Sequence, residues 1–403
     1  VDDFESYNDI HFEQPGSNLV YLAWKDGFEN PSVNGSTVGY VADASMETAA
    51  VHGGTKSVPF LYNNAAGAAF SQIERTFAAR NWTDYGLQTL SLWFSGDPTN
   101  VPGQLYVKVN GVKVLYGGAA GDLSLSAWQP WNIELASIGA DLKSVTSLAI
   151  GIEGTGATGT LLLDDIRLYP YPRELVTPAQ PSDAGLLLHF ALDEGSGNSR
   201  NGTLSGATWH SGGYNGMGSC LEFGGDGDHV LVADATHLNG LSAITLCVWV
   251  KSDLTNTDKG FLIFQDPTGD DNNDMRYDAA GLTAGRTNVL KMSVVSTGGN
   301  QQLESSNNLQ TTAWQHCAMV WSSGEQLKFY VNGILDSPTA NSAATTGVTT
   351  DFEKLLLGKG GKDEGARDGW DGLIDDLRIY NHALSAAEVS WLAGRTAPFD
   401  EPF

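Results

Sequence analysis

Short apolar or alternating runs, each bounded by turn-forming residues, recur along the whole 403-residue chain. Runs of this length and spacing predict β-strands joined by tight turns, for example at residues 89–94, 104–109 and 244–251. Asn110-Gly111 and Asn332-Gly333 each follow such a run, and this dipeptide predicts a two-residue hairpin turn. The pattern therefore indicates an all-β protein.

One helix is predicted, near the end of the chain. Ser385 and Glu388 have the spacing of a capping box, in which each side chain satisfies a backbone N–H of the other residue. The helix is expected to end at Gly394, which suits the left-handed position after a helix. Strands and helices do not alternate, so we predict two tandem antiparallel β-sandwich (jelly-roll) domains with one short C-terminal helix.

A proline-rich stretch divides the chain. Four prolines lie between Tyr169 and Ser182, a density that a sheet interior does not accept and that favours an extended connector. We predict a first domain at 1–170, a linker at 171–183, a second domain at 184–395 and an extended tail at 396–403. Asp164-Asp165 and Asp375-Asp376 begin the same pattern, Asp-Asp-apolar-Arg-apolar-Tyr, near the end of each domain.

Composition narrows the range of partners. Hydrophobic residues make up 41% of the chain and charged residues 17%, as in globular proteins. The 47 acidic residues outnumber the 22 basic ones, and a formal charge of −25 disfavours nucleic acid and anionic membranes while favouring cation binding. No apolar run is long enough for a membrane helix, so no membrane insertion is expected. A chain that begins at Val1 without a signal-like segment fits a mature secreted or cell-surface protein, as a trimmed chain would too.

Three cysteines, an odd number, lie in strand-like runs. Cys220, Cys247 and Cys317 have no metal-site spacing and form no disulfide framework. We interpret them as small buried core residues and leave a Cys247–Cys317 bridge as the alternative.

The sequence of the second domain resembles a known family. Its sequence is similar to the laminin-G-like, concanavalin-type jelly rolls of secreted bacterial proteins over residues 188–197, 220–230, 244–250, 314–320, 328–333 and 372–385. The first domain resembles galactose-binding-like jelly rolls of carbohydrate-binding modules at residues 1–5, 51–57, 91–94, 128–135 and 163–168. The resemblance implies modules that bind or build rather than catalyse.

Structural calcium is expected at the ends of both domains. In the first, the opening and closing strands of a jelly roll can lie side by side and bring carboxylates together, and calcium takes oxygen ligands. In the second, calcium is implied by the resemblance. Arg or backbone N–H partners, or simple β-turns, are the alternatives. The candidate ligands are Asp3, Glu5, Asp164, Asp165, Asp226, Asp228, Asp375 and Asp376. The dense acidic run at 266–274 lacks EF-hand spacing and is interpreted as a solvated loop.

Sugar binding would use exposed aromatic faces, which pack on the apolar C–H patches of pyranose rings. Six aromatic residues lie in turn-rich contexts, where they are either ligand contacts or structural aromatics at the rim of a sandwich. These candidates are Trp82, Tyr85, Trp128, Trp209, Tyr277 and Trp370.

No catalytic motif is found. The eight histidines include no H-E-x-x-H pair, and no G-x-S-x-G elbow or P-loop occurs. The acidic pairs close terminal strands, a poor place for the facing carboxylates of a glycosidase. We therefore predict a non-catalytic extracellular protein that binds a polysaccharide or glycoconjugate with structural calcium. The alternative is a subunit of an extracellular filament or surface layer that binds copies of itself through its sandwiches and its tail.

Overall fold

The chain forms two compact units. The computed structural model describes residues 1–40, 44–192, 202–225, 227–268, 271–282, 285–336, 343–359 and 369–401. Unit 1 comprises residues 1–177 together with 397–401, and unit 2 comprises residues 178–396. The division after Thr177 falls inside the predicted linker.

Unit 1 is a sandwich of two five-stranded antiparallel sheets. One sheet has the order β1-β4-β9-β6-β7 and the other β2-β3-β10-β5-β8. A four-residue helix, α1 (Val20–Ala23), precedes the first strand. The strands are β1 (Trp24–Lys25), β2 (Ser36–Val38), β3 (Val58–Asn63), β4 (Phe70–Arg80), β5 (Thr89–Ser95), β6 (Gln104–Val109), β7 (Val112–Leu115), β8 (Gln129–Glu134), β9 (Val145–Glu153), β10 (Thr158–Tyr169) and β11 (Leu175–Val176).

Alternation along each strand decides which side chains enter the core between the sheets. In β5, Leu90, Leu92 and Phe94 are buried in the core, so Ser91 and Trp93 point to the outer face of the sheet. The turn between β6 and β7 is the predicted Asn110-Gly111 hairpin, with both residues at positive φ.

Unit 2 is a second, larger sandwich. One sheet has the order β14-β15-β26-β17-β22-β23-β24, with β12 also paired to β26, and the other has the order β13-β16-β25-β18-β19-β20-β21. The strands are β12 (Leu186–Phe190), β13 (Thr203–Ser205), β14 (Thr208–Ser211), β15 (Ser219–Gly224), β16 (His229–Val232), β17 (Ala243–Ser252), β18 (Lys259–Gln265), β19 (Asp271–Asp278), β20 (Val289–Ser296), β21 (Gly299–Glu304), β22 (Gln315–Ser322), β23 (Lys328–Val331), β24 (Ile334–Asp336), β25 (Lys354–Leu357) and β26 (Asp371–Tyr380). The all-β prediction of two tandem antiparallel sandwiches is confirmed.

The predicted helix is present as α2 (Ala386–Leu392), and both halves of its capping box are formed by Ser385 and Glu388. It packs its apolar face on the outside of the β17–β22 region, where Cys247 is buried against Val389 and Leu392. The other two cysteines are also buried, and all three are free, which confirms the core interpretation.

A Cys247–Cys317 bridge is contradicted by strand geometry. Cys247 pairs with Ala318, and Cys317 pairs with Val248, on neighbouring strands. Cys317 faces the core between the sheets, whereas Cys247 faces α2, so the two thiols lie on opposite sides of one sheet.

The C-terminal tail packs on unit 1. Its strand β27 (Phe399–Asp400) pairs with β11, and Phe399 is 6% exposed. The Asp400 carboxylate accepts a hydrogen bond from the backbone N–H of Asn132 at 2.8 Å and forms an ion pair with Arg173. The sequence predicted an extended tail but not its place in this small sheet.

The acidic run at 266–274 is not the solvated loop that we predicted. Its second half belongs to β19, where Asn273 is 0% exposed and Asp274 is 7% exposed. These two polar side chains can be buried because each forms hydrogen bonds, Asp274 with the Ser293 hydroxyl and Asn273 with the backbone N–H of Val295. Hydrophobic patterning alone could not find such a strand.

Candidate functional site

A polar cleft of about 400 Å³ lies in unit 2, formed by β18, β19, β20 and the turn that follows β19. Met275 and Tyr277 of β19 enter the core, so Arg276 and Asp278 point outward. On the neighbouring strand Lys291 pairs directly with Arg276 and also faces the cleft. The lining residues are Asp258, Lys259, Gly260, Arg276, Asp278, Ala280, Gly281 and Lys291.

Ion pairs hold three charged groups of the cleft, Arg276, Asp278 and Lys291, in place. Lys291 is 5% exposed and forms an ion pair with Asp278. The Arg276 guanidinium lies between two carboxylates, with Nε 3.4 Å from Asp274 Oδ2 and Nη2 3.7 Å from Asp278 Oδ2. Groups fixed by several partners lose little freedom when a ligand arrives, so the cleft is preorganised for hydrogen bonding.

The two aspartates of β19 are shifted in opposite directions. Burial raises the pKa of Asp274. Burial acts the same way on Asp278, but the hydrogen bond and charge of Lys291 outweigh it and hold the pKa of Asp278 below its ordinary value. Asp278 is therefore an acceptor at neutral pH, while Lys259, Arg276 and Lys291 supply donors.

The two aspartates of β19 share one cationic partner. Asp274 and Asp278 lie two residues to either side of Arg276, and both carboxylates form ion pairs with its guanidinium. Neither carboxylate therefore stands alone in the cleft.

Two of the predicted calcium ligands of unit 1, Asp164 and Asp165, lie on β10, where hydrogen-bond donors surround their carboxylates. Asp164 Oδ2 accepts hydrogen bonds from the backbone N–H groups of His52 (3.0 Å) and Gly53 (3.1 Å). Its Oδ1 accepts from the Asp165 N–H at 2.7 Å. Asp165 Oδ2 contacts His52 Nδ1 at 2.8 Å, and Asp165 Oδ1 accepts from Arg167 at 2.6 Å.

Unit 2 repeats this arrangement on β26. Asp375 Oδ2 accepts from the backbone N–H of Tyr214 at 2.9 Å, and its Oδ1 accepts from the Asp376 N–H at 2.8 Å. Asp376 Oδ1 contacts His189 Nε2 at 2.7 Å and accepts from Arg378 Nε at 3.0 Å. The second aspartate of each pair has a positive φ, 47° for Asp165 and 43° for Asp376, at an interruption of the strand register.

The likeness extends to the aromatic residues above each pair. Trp93 pairs across the sheet with the first aspartate in unit 1, and Trp249 does so in unit 2. The loop residue whose N–H binds that aspartate stacks on the same tryptophan. His52 lies 3.8 Å from Trp93 at 17°, and Tyr214 lies 4.4 Å from Trp249 at 11°. We call each assembly of aspartate pair, loop and tryptophan a clasp, because it ties a glycine-containing loop to the last long strand of the unit.

The clasps do not fit a calcium ion. Both oxygens of Asp164 and Asp165, and both oxygens of Asp376, already face N–H or cationic donors, whereas calcium needs oxygen ligands. Asp3 and Glu5 do not join them: Asp3 is exposed, and Glu5 accepts hydrogen bonds from the 55–56 loop. Asp228 binds the N–H of Gly224 as a turn residue, and Asp226 lies outside the described residues. Within the described ranges no three His, Cys, Asp or Glu side chains are grouped to hold a metal.

We therefore expect calcium chelation to leave the clasps intact. Excess EGTA should change neither unfolding temperature of the protein, because donors rather than an ion neutralise the aspartates. Differential scanning calorimetry with EGTA, and then with added CaCl₂, measures this. A fall of several degrees that calcium restores would show that an ion stabilises the fold.

The Asp164 carboxyl predicts a pH dependence of unit 1. Burial, reinforced by the charge of Asp165, raises the pKa of Asp164 to about 7 against the opposing backbone N–H groups. The folded state therefore binds this proton more tightly than the unfolded chain, whose pKa is about 3.9. The contribution to stability is complete below about pH 4 and is lost as the pH rises toward 7.

The test compares the wild type with Asp164→Asn between pH 4.5 and 8. The unfolding temperature of unit 1 should fall with rising pH in the wild type more than in the variant, which has no proton to lose. Equal slopes in the two proteins would contradict the assignment to Asp164.

The six aromatic candidates divide by burial. Trp82 (2% exposed), Tyr277 (0%) and Trp370 (0%) are core residues, so the structure contradicts their role as exposed sugar contacts. The turn-like sequence around them suggested exposure, but their burial depends on residues far away in the chain, as in the packing of Trp370 against Phe261. Tyr85 is 95% exposed and Trp209 is 43% exposed, and Trp128 is partly exposed.

Sequence reasoning missed most of the cleft. Lys259, Arg276, Asp278 and Lys291 were not among the candidates, because each is a single charged residue in or beside a strand. Strand alternation could have indicated that Arg276 and Asp278 share a face, since they are two residues apart. Their meeting with Lys291 depends on the pairing of β19 with β20.

The cleft belongs to a recognisable domain. Residues 223–390 match the family described as the concanavalin A-like lectin/glucanases superfamily. This confirms the concanavalin-type resemblance of the second domain, and we call unit 2 the lectin/glucanase-like unit. No curated protein sequence matches the chain.

Several solved structures are similar to part of this chain. Domain 4 of AbnA, a GH43 extracellular arabinanase from Geobacillus stearothermophilus in complex with arabinotriose, is 19% identical, with a TM-score of 0.35 over 52% of this chain and 98% of that one. The binding domain of Paraclostridial Mosquitocidal Protein 1 is 13% identical, with a TM-score of 0.40 over 52% of each chain, about half of its length. The CBM40 of a Ruminococcus gnavus IT-sialidase, bound to α2,3 sialyllactose, is 17% identical, with a TM-score of 0.33 over 44% and 96%.

Proposed function

We propose that this chain is an extracellular, non-catalytic carbohydrate-binding protein and that the polar cleft of the lectin/glucanase-like unit contacts the glycan. The observation that carries the proposal is the set of donors and acceptors that line the cleft, three of them held by ion pairs, in a domain that matches a lectin/glucanase superfamily. Its volume of about 400 Å³ falls in the usual range for small-ligand sites.

The chemistry of the cleft suits sugar hydroxyl groups. A hydroxyl both donates and accepts, so it can bridge a carboxylate such as Asp278 and a cation such as Lys259. Neutral glycans are favoured over acidic ones, because a protein with a formal charge of −25 repels a polyanion at long range.

Binding to soluble polysaccharides tests the proposal. Arabinan, xylan and galactomannan serve as neutral probes and polygalacturonate as the acidic one, with affinity measured by gel retardation. Lys259→Ala and Arg276→Lys should each weaken binding to the preferred neutral probe about tenfold, the loss expected for one charge-assisted hydrogen bond. Arg276→Lys keeps a positive charge beside Asp274 and so protects the fold.

Lys328→Ala is the matched control, since Lys328 is exposed in the same unit, does not line the cleft and forms an ion pair with exposed Glu325 at 3.8 Å. Its affinity should equal that of the wild type. Binding to none of the polysaccharides, or equal affinity in all three variants, would overturn the proposed site. Release of reducing ends from any probe would contradict the non-catalytic assignment.

The alternative of a filament or surface-layer subunit gains no support from the tail contacts. Phe399 and Asp400 pair with Leu175 and Val176 of the same chain, so this strand has no free edge on that side. No helix in the described part of the chain is long and apolar enough to cross a membrane.

A further inference from the structure

The two clasps differ in the solvent exposure of their side chains. In unit 2, Trp249 is 9% exposed, its indole N–H donates to the Leu392 carbonyl of α2, and the Arg378 side chain is 20% exposed. In unit 1, Trp93 is partly exposed and the Arg167 side chain is 51% exposed. The same assembly is thus covered by a helix in one unit and open in the other.

The open clasp continues into a row of side chains on one sheet face. Ile166 lies in the core of unit 1 and Leu168 packs against it, so Arg167 and Tyr169 point outward from β10. Their strand partners on β5 are Ser91 and Thr89, which share the outer face with Trp93. The row therefore runs along the strands from Trp93 to Tyr169.

Further aromatic rings extend this row at both ends. At one end Trp128 meets the His52 ring edge-on at 5.9 Å, next to the stack of His52 on Trp93. At the other end Tyr171, which is 56% exposed, stacks with Tyr169 at 6.5 Å and 25°. We call the whole row the aromatic strip, and its members are His52, Trp93, Trp128, Arg167, Tyr169 and Tyr171.

Asp165 holds the two halves of the aromatic strip together. One carboxylate oxygen binds His52 and the other binds Arg167, which fixes the imidazole ring on Trp93 and places the guanidinium between the aromatic groups. In unit 2 the equivalent tryptophan, Trp249, is 9% exposed, and the partly exposed ring of Tyr214 stacks on it. In unit 1 the further rings of the row, Trp128, Tyr169 and Tyr171, are not members of the clasp, so the clasp itself does not account for them.

We propose that the aromatic strip is a second glycan-binding surface, separate from the cleft of unit 2, and that it takes an extended neutral polysaccharide chain. Exposed rings pack on the C–H faces of sugars, and the Arg167 guanidinium donates to hydroxyl groups. The net charge of −25 disfavours a polyanionic chain. The inference rests on the proposed function in that the ligand is a glycan, but it uses different residues.

Gel retardation of the full chain on the same polysaccharides tests the strip. The double variant Trp128→Ala/Tyr171→Ala removes both ends and leaves the Asp165 network in place. It should bind the preferred neutral probe roughly tenfold more weakly than the wild type, as expected for the loss of two ring contacts. Phe28→Ala is the matched control, because Phe28 is 62% exposed in unit 1 away from these contacts.

The comparison with Lys259→Ala separates the two sites. If both the double variant and Lys259→Ala weaken binding, the two surfaces act on one polymer, and a protein with all three changes should lose retention. If Lys259→Ala weakens binding and the double variant matches Phe28→Ala, the aromatic strip is overturned while the proposed function stands. If only the double variant weakens binding, the strip stands and the cleft is overturned. Equal unfolding temperatures in all variants exclude misfolding.

Discussion

Trp370→Ala should destabilise unit 2 by about 3–5 kcal/mol, the usual cost of emptying a large buried aromatic site. Trp370 is 0% exposed and meets Phe261 and Tyr277 edge-on, with ring centroids at 5.3 and 5.2 Å. Its indole N–H donates to the Leu373 carbonyl at 3.2 Å. Substitution leaves a cavity between the two sheets and removes this hydrogen bond. Guanidinium unfolding followed by circular dichroism should show an earlier transition for unit 2.

Trp209→Ala is the control for this change, because Trp209 is also a tryptophan of unit 2 but is 43% exposed on β14. Its expected loss is below about 1 kcal/mol, as for most exposed positions. A Trp370→Ala protein that unfolds like the wild type and has lost glycan binding would instead restore Trp370 as a ligand contact.

The contrast between these tryptophans shows which features can be predicted from the sequence and which cannot. The tight turn at Asn332-Gly333 and the capping box at Ser385 depend on residues close in the chain, and both are present as predicted. The burial of Trp370 depends on Phe261 and Tyr277, about a hundred residues away. A turn-like local context carries no information about such partners.

The aspartate pairs illustrate the same limit at a site. Their repeated pattern correctly indicated the last long strands of the two sandwiches, β10 and β26. Their partners come from distant loops, including His52, 112 residues before Asp164. The sequence shows paired carboxylates that would need a charge or hydrogen-bond partner if buried. Whether that partner is a cation or a set of N–H groups depends on the loops that fold over them.

The N-terminal segment gives the clearest case of a missed residue. Asp3 and Glu5 were singled out there, yet Asp2 is the buried acid, 9% exposed. Phe4, two residues further on, is a core residue at 0% exposure, but it has a positive φ of 57° and does not belong to a strand. Strand alternation therefore does not apply to this segment and could not have indicated the burial of Asp2.

Asp2→Ala should destabilise unit 1 by about 3–5 kcal/mol, as expected when one partner of a buried charged network is removed. The Asp2 carboxylate accepts from the Tyr7 hydroxyl and from the Trp24 indole N–H, each at 2.8 Å, and forms an ion pair with Arg75. Tyr7 and Trp24 are buried, so their donors would be left without an acceptor.

Asp3→Ala is the matched control, one residue along the same segment and exposed to solvent. It removes the same charge from the chain but leaves the buried donors satisfied, so its expected change stays within about 0.5 kcal/mol. Denaturant unfolding of unit 1 measures both variants. Equal losses for Asp2→Ala and Asp3→Ala would mean that general charge near the N-terminus, and not the buried network of Asp2, stabilises this edge of the sandwich. A large loss for Asp2→Ala alone would show that this network joins the start of the chain to β4 and β10, since Asp2 also bridges to Ile166 of β10.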